Sequence, residues 1–427
     1  MQIVTLFACV LALVLIDVPI AIALGSVAVV ALMITQGTAT LPNLALTIYN
    51  GATSFPLIAI PLFILAGAIM NASGISTRLI AFASAILGWI RGGLAMVSIG
   101  SSMFFAEISG SAVADAAALG SILIPAMRSR GYSKEFAAAV ISSSATLAVI
   151  IPPSIPMLLY AVIAETSVVK LFVSGIVPGI IGGFGLMGVA YWFARRYDFP
   201  VEQSFRWATV LRTFREALWA FLLPVVILGT IFGGIVTATE GAAIAVLAAL
   251  FIGFVVYREL DVEVLKSAVI EGGVQTAVVM LLVATSALLG VYLTETHLPQ
   301  QLAQSILDFT TNKWIVLAIL NVLFLILGLF LHSAAAIILT VPVVMPLVKA
   351  AGIDPVHFGL IVTINLGLGQ QTPPVASVLM TCCAIAKADM WAVSKVNIYF
   401  VAVLLTVLLL VTYVPVTGLG LVDFFYK

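Results

Sequence analysis

Long apolar runs succeed one another along the whole chain, and only short polar breaks divide them. They extend over Ile3 to Ile16, Val18 to Ile34, Leu222 to Phe232, Ala242 to Val256, Ala277 to Leu293, Ile315 to Leu331 and Val396 to Val414. None shows the two-residue alternation of a lipid-facing strand. Helices are then the way left to satisfy backbone N–H and C=O groups in hydrocarbon. One crossing takes roughly 20 apolar residues, so a chain of this length accommodates on the order of ten to a dozen. The pattern predicts an all-α polytopic membrane protein without a soluble domain.

Composition agrees. Hydrophobic residues make up 63% and charged residues 8%, where a soluble domain carries about a quarter charged. The formal net charge is zero, which argues against a nucleic-acid partner. Met1-Gln2-Ile3 lacks the positive region of a cleavable signal, so the first run is expected to be a retained membrane segment. Cys9, Cys382 and Cys383 have no disulfide or zinc spacing, and the adjacent pair is expected to pack as small hydrophobes.

The most basic break holds Arg195, Arg196, Arg206, Arg212 and Arg215, and by the positive-inside rule it faces the cytoplasm. Phe205, Val210, Leu211, Phe214 and Leu218 are spaced for an amphipathic helix along the interface. The break falls near mid-chain, where a linker between two halves belongs, and an internal repeat surrounds it. Pro152-Pro153 and Pro373-Pro374 are 373 − 152 = 221 residues apart, and the same offset carries Pro125 to Pro346 and Gly131 to Gly352. Asp17 and Glu240 fall at roughly matching positions and read as helix breaks or interfacial ends. The predicted organisation is a first repeat over 1–194 with a hairpin at about 105–128 and a broken helix at about 135–165, then a basic amphipathic linker over 195–217. A second repeat over 218–427 follows, with a hairpin at about 325–349 and a broken helix at about 355–386. Two-fold repeats built around broken helices are a signature of secondary transporters, and they favour an inverted relation.

A double proline removes two backbone donors and pushes the preceding residue out of the helical region. Carbonyls freed in this way must face protein, a wet cavity or an ion. Ser143, Ser144 and Thr146 stand beside the first pair, and Asn365, Gly367, Gly369, Gln370 and Thr372 beside the second. Hydroxyls and carbonyls of this kind suit sodium; a proline kink packed on a neighbouring helix is the competing reading. Before each break lies a small-residue hairpin, with Ser109-Gly110-Ser111 at one tip and His332-Ser333 at the other. Helix N-termini at such tips suit a carboxylate. Asp115 either caps a helix or sits near a cation, and Glu107 pairs with a base or lines a vestibule. His332 leaves proton coupling open as a minor reading. Neither a phosphate-loop motif nor His-Glu-x-x-His occurs. An intramembrane enzyme would need a facing Ser–His or Asp–Asp pair, which no spacing singles out.

At these residues the chain resembles the large membrane subunit of the tripartite ATP-independent periplasmic (TRAP) transporters. The resemblance runs through Ser109 to Pro125, Arg130-Gly-Tyr-Ser-Lys-Glu-Phe, Ile151-Pro-Pro-Ser-Ile-Pro156, Gly352-Ile-Asp-Pro-Val-His-Phe-Gly359 and Thr372-Pro-Pro-Val375. It implies an elevator-type fold of two inverted repeats with re-entrant hairpins and discontinuous helices, in a bacterial inner membrane. It further implies sodium-coupled import of an organic acid, of the sialic acid or C4-dicarboxylate class. A periplasmic binding protein would deliver the acid, and a small four-helix membrane subunit would brace the scaffold. A proton-coupled or binding-protein-independent carrier is the alternative. Carried over by residue, Ser109, Gly110, Ser111, Ser144, Thr146 and Pro152 would surround one sodium ion, and Ser333, Gly367, Gly369, Thr372 and Pro374 a second. Between the tips the acid would meet Ser111, Asp115, Pro153, His332, Ser333, Asn365, Gln370 and Gln371. Ala145 and Ala148 depart from the family's frequent glycines, and His332 from its frequent acid.

Overall fold

The computed structural model describes residues 2–16, 18–37, 41–202 and 204–426; Asp17 lies outside them, as do the side chains of Glu107 and Ser109. Among the described residues the chain is helical, with nine helices long and apolar enough to cross a membrane. The first half comprises α1 (Gln2–Leu15), α2 (Ile20–Gln36), α3 (Leu41–Ala52), α4 (Ala59–Ala72), α5 (Ile75–Leu87), α6 (Gly93–Ser109), α7 (Ala112–Ser129), α8 (Lys134–Ala145), α9 (Ile155–Ile163) and α10 (Val168–Arg196). The second comprises α11 (Trp207–Phe232), α12 (Ala238–Phe251), α13 (Val262–Glu295), α14 (Leu298–Phe309), α15 (Lys313–Phe330), α16 (Ser333–Ala350), α17 (Pro355–Gly369), α18 (Ser377–Ala386), α19 (Met390–Tyr413) and α20 (Val416–Tyr426).

Helix bounds carry the repeat further than the prolines do. Moved by the 221-residue offset, α7 coincides with α16 at both ends, α8 begins where α17 begins, and α9 begins one residue before α18. The hairpin arms are longer than the sequence suggests: α6 with α7 and α15 with α16 start at Gly93 and Lys313. Each turn is set locally. Gly110 takes a left-handed φ of 58°, and Ser111 caps α7 by accepting from the Ala114 N–H at 3.5 Å. A Cβ at Gly110 would lie 2.9 Å from the Pro153 carbonyl oxygen, so glycine lets the tip settle on the first break. Asp354 caps α17 through the N–H groups of Val356 and His357, with Pro355 at the first helical position. Glu240 closes a capping box with Thr237, which makes its surroundings a helix start.

The basic stretch 195–217 is not a separate interfacial helix. Its first two residues end α10 and its last eleven open α11, which runs unbroken into apolar sequence. Amphipathic periodicity and a continuing helix share one period, so the pattern along these residues does not mark where the apolar span begins. The non-helical remainder is clamped onto the hairpin base. Gly92 N–H donates to Pro200 O at 3.1 Å, Glu202 N–H to Gly88 O at 3.1 Å, and Phe199 packs on Tyr132 with ring centroids 4.4 Å apart. Arg130 reaches Glu202 at 3.4 Å, while burial outweighs that cation and raises the Glu202 carboxyl above its usual range. A carboxyl with a raised folded pKa binds more protons folded than unfolded, so its contribution to stability falls as pH rises through that pKa. Glu202→Gln is therefore expected to flatten the pH dependence of melting above pH 4.5. Melting curves in detergent that keep the wild-type slope would contradict this.

Candidate functional site

Two hairpin tips, two helix breaks and two uninterrupted helices meet around a cavity of about 770 Å³. On one side Ser111, His332 and Ser333 bring the tips, and Ile155 and Pro156 bring the start of α9. Three helix N-termini, those of α7, α9 and α16, therefore line one space, each carrying roughly half a positive charge. The opposite wall is α4 and α13. Along α13 the lining residues Glu271, Val274, Gln275, Val278 and Val279 form a single helical face. Among the described residues no three His, Cys, Asp or Glu side chains gather to hold a metal.

Each tip is tied to its own break. Ile155 N–H donates to Gly110 O at 3.4 Å, while Gln370 Nε2 donates to Ser333 Oγ and Val375 N–H to Leu329 O at 3.3 Å. After α8 the chain tightens into a 3₁₀ turn over Thr146–Val149 and then opens, with Ser154 Oγ donating back to Val149 O at 2.9 Å. At the second break the Gln370 carbonyl accepts from Val378 N–H at 3.1 Å, which satisfies a donor at the head of α18. Both Pro-Pro bonds are cis.

The breaks are also joined to each other. Gln371 Nε2 donates to Thr146 Oγ1 at 2.6 Å, and Asn397 Nδ2 donates to Gln371 O at 3.3 Å and Oε1 at 3.4 Å. Ser143 Oγ donates to Asn397 Oδ1 at 2.7 Å. Ser144 and its repeat equivalent Asn365 each bond the first arm of their own hairpin. Ser102 Oγ donates to Ser144 Oγ at 2.9 Å, and Asn365 Nδ2 donates to Asn321 Oδ1 at 2.6 Å. Gly367 lies against Thr146, where a Cβ would come within 2.8 Å of its methyl, and Gly369 lies against the Gly328 backbone. Thr372 Oγ1 donates to Leu368 O at 3.0 Å. Of the buried side-chain oxygens that lack a protein hydrogen-bond partner, four stand at these segments, namely Ser142 Oγ, Asn365 Oδ1, Gln370 Oε1 and Ser377 Oγ, while others, such as Ser54 Oγ and Ser101 Oγ, lie elsewhere.

The expected residues are thus divided. Gly110, Ser111, His332, Ser333 and Gln370 line the cavity, whereas Asp115, Pro153, Asn365 and Gln371 do not. Asp115 is buried in the first turn of α7, where an acid complements the helix dipole. Ser144, Thr146, Gly367 and Gly369 lie in the packed body between the breaks, and Pro152 and Pro374 in the breaks themselves. Asn397, Asn321 and the α13 face with Glu271 and Gln275 are absent from the sequence reading. The asparagines are isolated polar residues in apolar runs, a signal that an intramembrane polar residue always carries.

The family model of the DctM component of tripartite ATP-independent periplasmic transporters matches residues 7–417. The chain is 42% identical over 94% of its length to the isethionate TRAP transporter permease protein DctMQ of Oleidesulfovibrio alaskensis, of which it spans 63%. It is 37% identical over 97% of its length to the C4-dicarboxylate TRAP transporter large permease DctM of Vibrio cholerae, covering 96% of that protein. To the same organism's sialic acid TRAP transporter large permease SiaM it is 35% identical, over 95% of each. Its fold is similar to the crystal structure of the Alcanivorax borkumensis YdaH transporter, with a TM-score of 0.63 at 15% identity over 90% of each chain.

Proposed function

The chain belongs to the DctM-component family of tripartite ATP-independent periplasmic transporters, and from that premise we propose that it imports an organic acid with sodium by an elevator movement. The observation that carries this reading is the convergence of both hairpin tips and both helix breaks on one cavity. Buried oxygens without protein partners stand at those breaks. Carbonyl, hydroxyl and amide oxygens without a gathered carboxylate cluster are the donor chemistry of a weakly held monovalent cation rather than of a divalent one. In this reading sodium is a co-substrate, two or more ions per cycle. Binding it at the breaks orders the tips, and the ordered helix N-termini then receive the acid's anionic group. The two halves are inverted repeats divided in the region 195–217. The hairpins and broken helices move together against α4 and α13. A periplasmic binding protein delivers the acid and a small membrane subunit braces the scaffold in the bacterial inner membrane, in line with the tripartite family and the DctMQ relative.

Arg91, Arg130 and the start of α11 share a face with Arg128 and Lys134, which bond the backbone at Ala386 and Lys387. By the positive-inside rule this basic face is cytoplasmic. The cavity lining includes Ser76 and Thr77, next to the Arg78–Glu259 ion pair at 2.6 Å. The test is uptake into proteoliposomes holding this chain, its small subunit and a loaded binding protein. Thr372→Ala and Ser144→Ala are each expected to raise the half-saturating sodium concentration about tenfold, equivalent to about 1.4 kcal/mol of lost binding. Thr372→Ser is expected to restore it. Unchanged sodium activation in both variants, or uptake without a sodium gradient, would remove the reading.

A further inference from the structure

We propose that Glu271 makes this cavity select organic acids with a single anionic group and a hydrogen-bond donor at the other end, rather than dicarboxylates; this rests on the reading of the cavity as the substrate site. Among the described residues the lining includes neither lysine nor arginine. Positive potential is therefore confined to the tip side, where the three helix N-termini stand beside the breaks that take sodium, and that side receives the anionic group. On the other wall Glu271 is exposed to the cavity and makes no ion pair or hydrogen bond with the described residues. Gln275, one turn on along the same face, is likewise exposed without a partner. The α13 lining runs from Glu271 to Val279, about 12 Å along the helix axis. A small acid held at the tips thus presents its far end to a wall with a carboxylate and an amide.

The placement of charge on the two walls decides between substrate classes. A second carboxylate at the far end faces Glu271 with no lysine or arginine in the lining to offset it, and like charges repel. A hydroxyl or ammonium there finds acceptors in Glu271 Oε1, Glu271 Oε2 and Gln275 Oε1. The chemistry that fits is a hydroxylated or amino-bearing monoanion, carboxylate or sulfonate. Of the compounds that relatives are named for, isethionate and sialic acid meet that description and C4-dicarboxylates do not.

Two measurements test it. In the first, the purified chain in sodium chloride is melted with isethionate, N-acetylneuraminate or succinate. One of the monoanions is expected to stabilise the wild type at a concentration at least fourfold lower than succinate does. Glu271→Gln is expected to close that gap. Succinate acting as well as either monoanion on the wild type, or a gap unchanged in Glu271→Gln, overturns the proposal. The second measurement needs no substrate. In a Cys9→Ser background, Val278→Cys places a thiol on the cavity face about 10 Å along the helix from position 271. It is labelled at low ionic strength with an anionic and a cationic methanethiosulfonate. Glu271→Gln is expected to raise the anionic-to-cationic rate ratio at least about fourfold, the bulk-water limit for one charge at that distance. An unchanged ratio removes Glu271 as the selector and leaves the transport reading standing. Melting that responds to no acid in any variant overturns the cavity as the substrate site, and this proposal with it.

Discussion

Gly175→Ala is expected to destabilise the protein by about 3 kcal/mol, at the upper end of the cost of inserting one carbon into packed structure, and to abolish uptake. Gly175 sits in α10 where that helix crosses the first break. A Cβ there would lie 2.1 Å from the Ile150 carbonyl oxygen and 2.8 Å from Met157 Cε. The methionine end can move. The carbonyl cannot move without displacing the chain that leaves the 3₁₀ turn Thr146–Val149, because Ile150 N–H is itself bonded to Leu147 O at 2.9 Å. The clash therefore falls on the segment that sets the oxygens of the first break. Gly188 on the same helix is the control, since a Cβ there meets nothing within 4 Å. Gly188→Ala is expected to be neutral or to add up to about 1 kcal/mol by lowering the backbone entropy of the unfolded chain. Melting in detergent and uptake into proteoliposomes read both effects. A Gly175→Ala protein that melts and transports like wild type would show that the break is not held by this contact.

That contact also shows what a sequence can and cannot announce. The breaks at Pro152-Pro153 and Pro373-Pro374 are legible because two prolines impose backbone geometry wherever they occur, whatever packs on them. The hairpin tips are legible for a similar reason: Gly110 supplies a left-handed turn and Ser111 a cap, both local devices. Because the two halves share a 221-residue offset, a feature read in one predicts its counterpart in the other. The wall formed by α4 and α13 carries no such device. Glu271 and Gln275 lie in a helix of 34 residues that neither breaks nor caps near them. Their side of that helix is chosen by what packs around it, which is long-range information. Asn397 is hidden in the same way, twenty-six residues after its partner Gln371 and inside the apolar run of α19. The region 195–217 misled for the opposite reason, since its local pattern is real but the helix simply continues.

The second large effect is expected where Asn397 and Gln371 join the breaks. Both side chains are 1% exposed, as are Ser143 and Thr146, so water does not replace a partner that is removed. Asn397→Leu leaves Gln371 O and Oε1 without the donor they share and Ser143 Oγ with only the Ala139 carbonyl, 2.7 Å away. Gln371→Leu deprives Thr146 Oγ1 of its donor and leaves Asn397 Nδ2 with the backbone oxygen alone. Stranding a buried polar group costs about 1–3 kcal/mol, so each substitution is expected to lower stability by about 2 kcal/mol. Once one residue is gone the other has already lost its partner, so the double substitution should cost about 1 kcal/mol less than the two combined. A double-mutant cycle on unfolding free energies in detergent measures that difference. Additivity within about 0.5 kcal/mol would mean the breaks are held independently. A coupling of the expected size would mean that a cation altering the first break is felt at the second through Thr146, Gln371, Asn397 and Ser143. Two ions placed at two breaks would then bind cooperatively, because each would order a chain of hydrogen bonds on which the other depends.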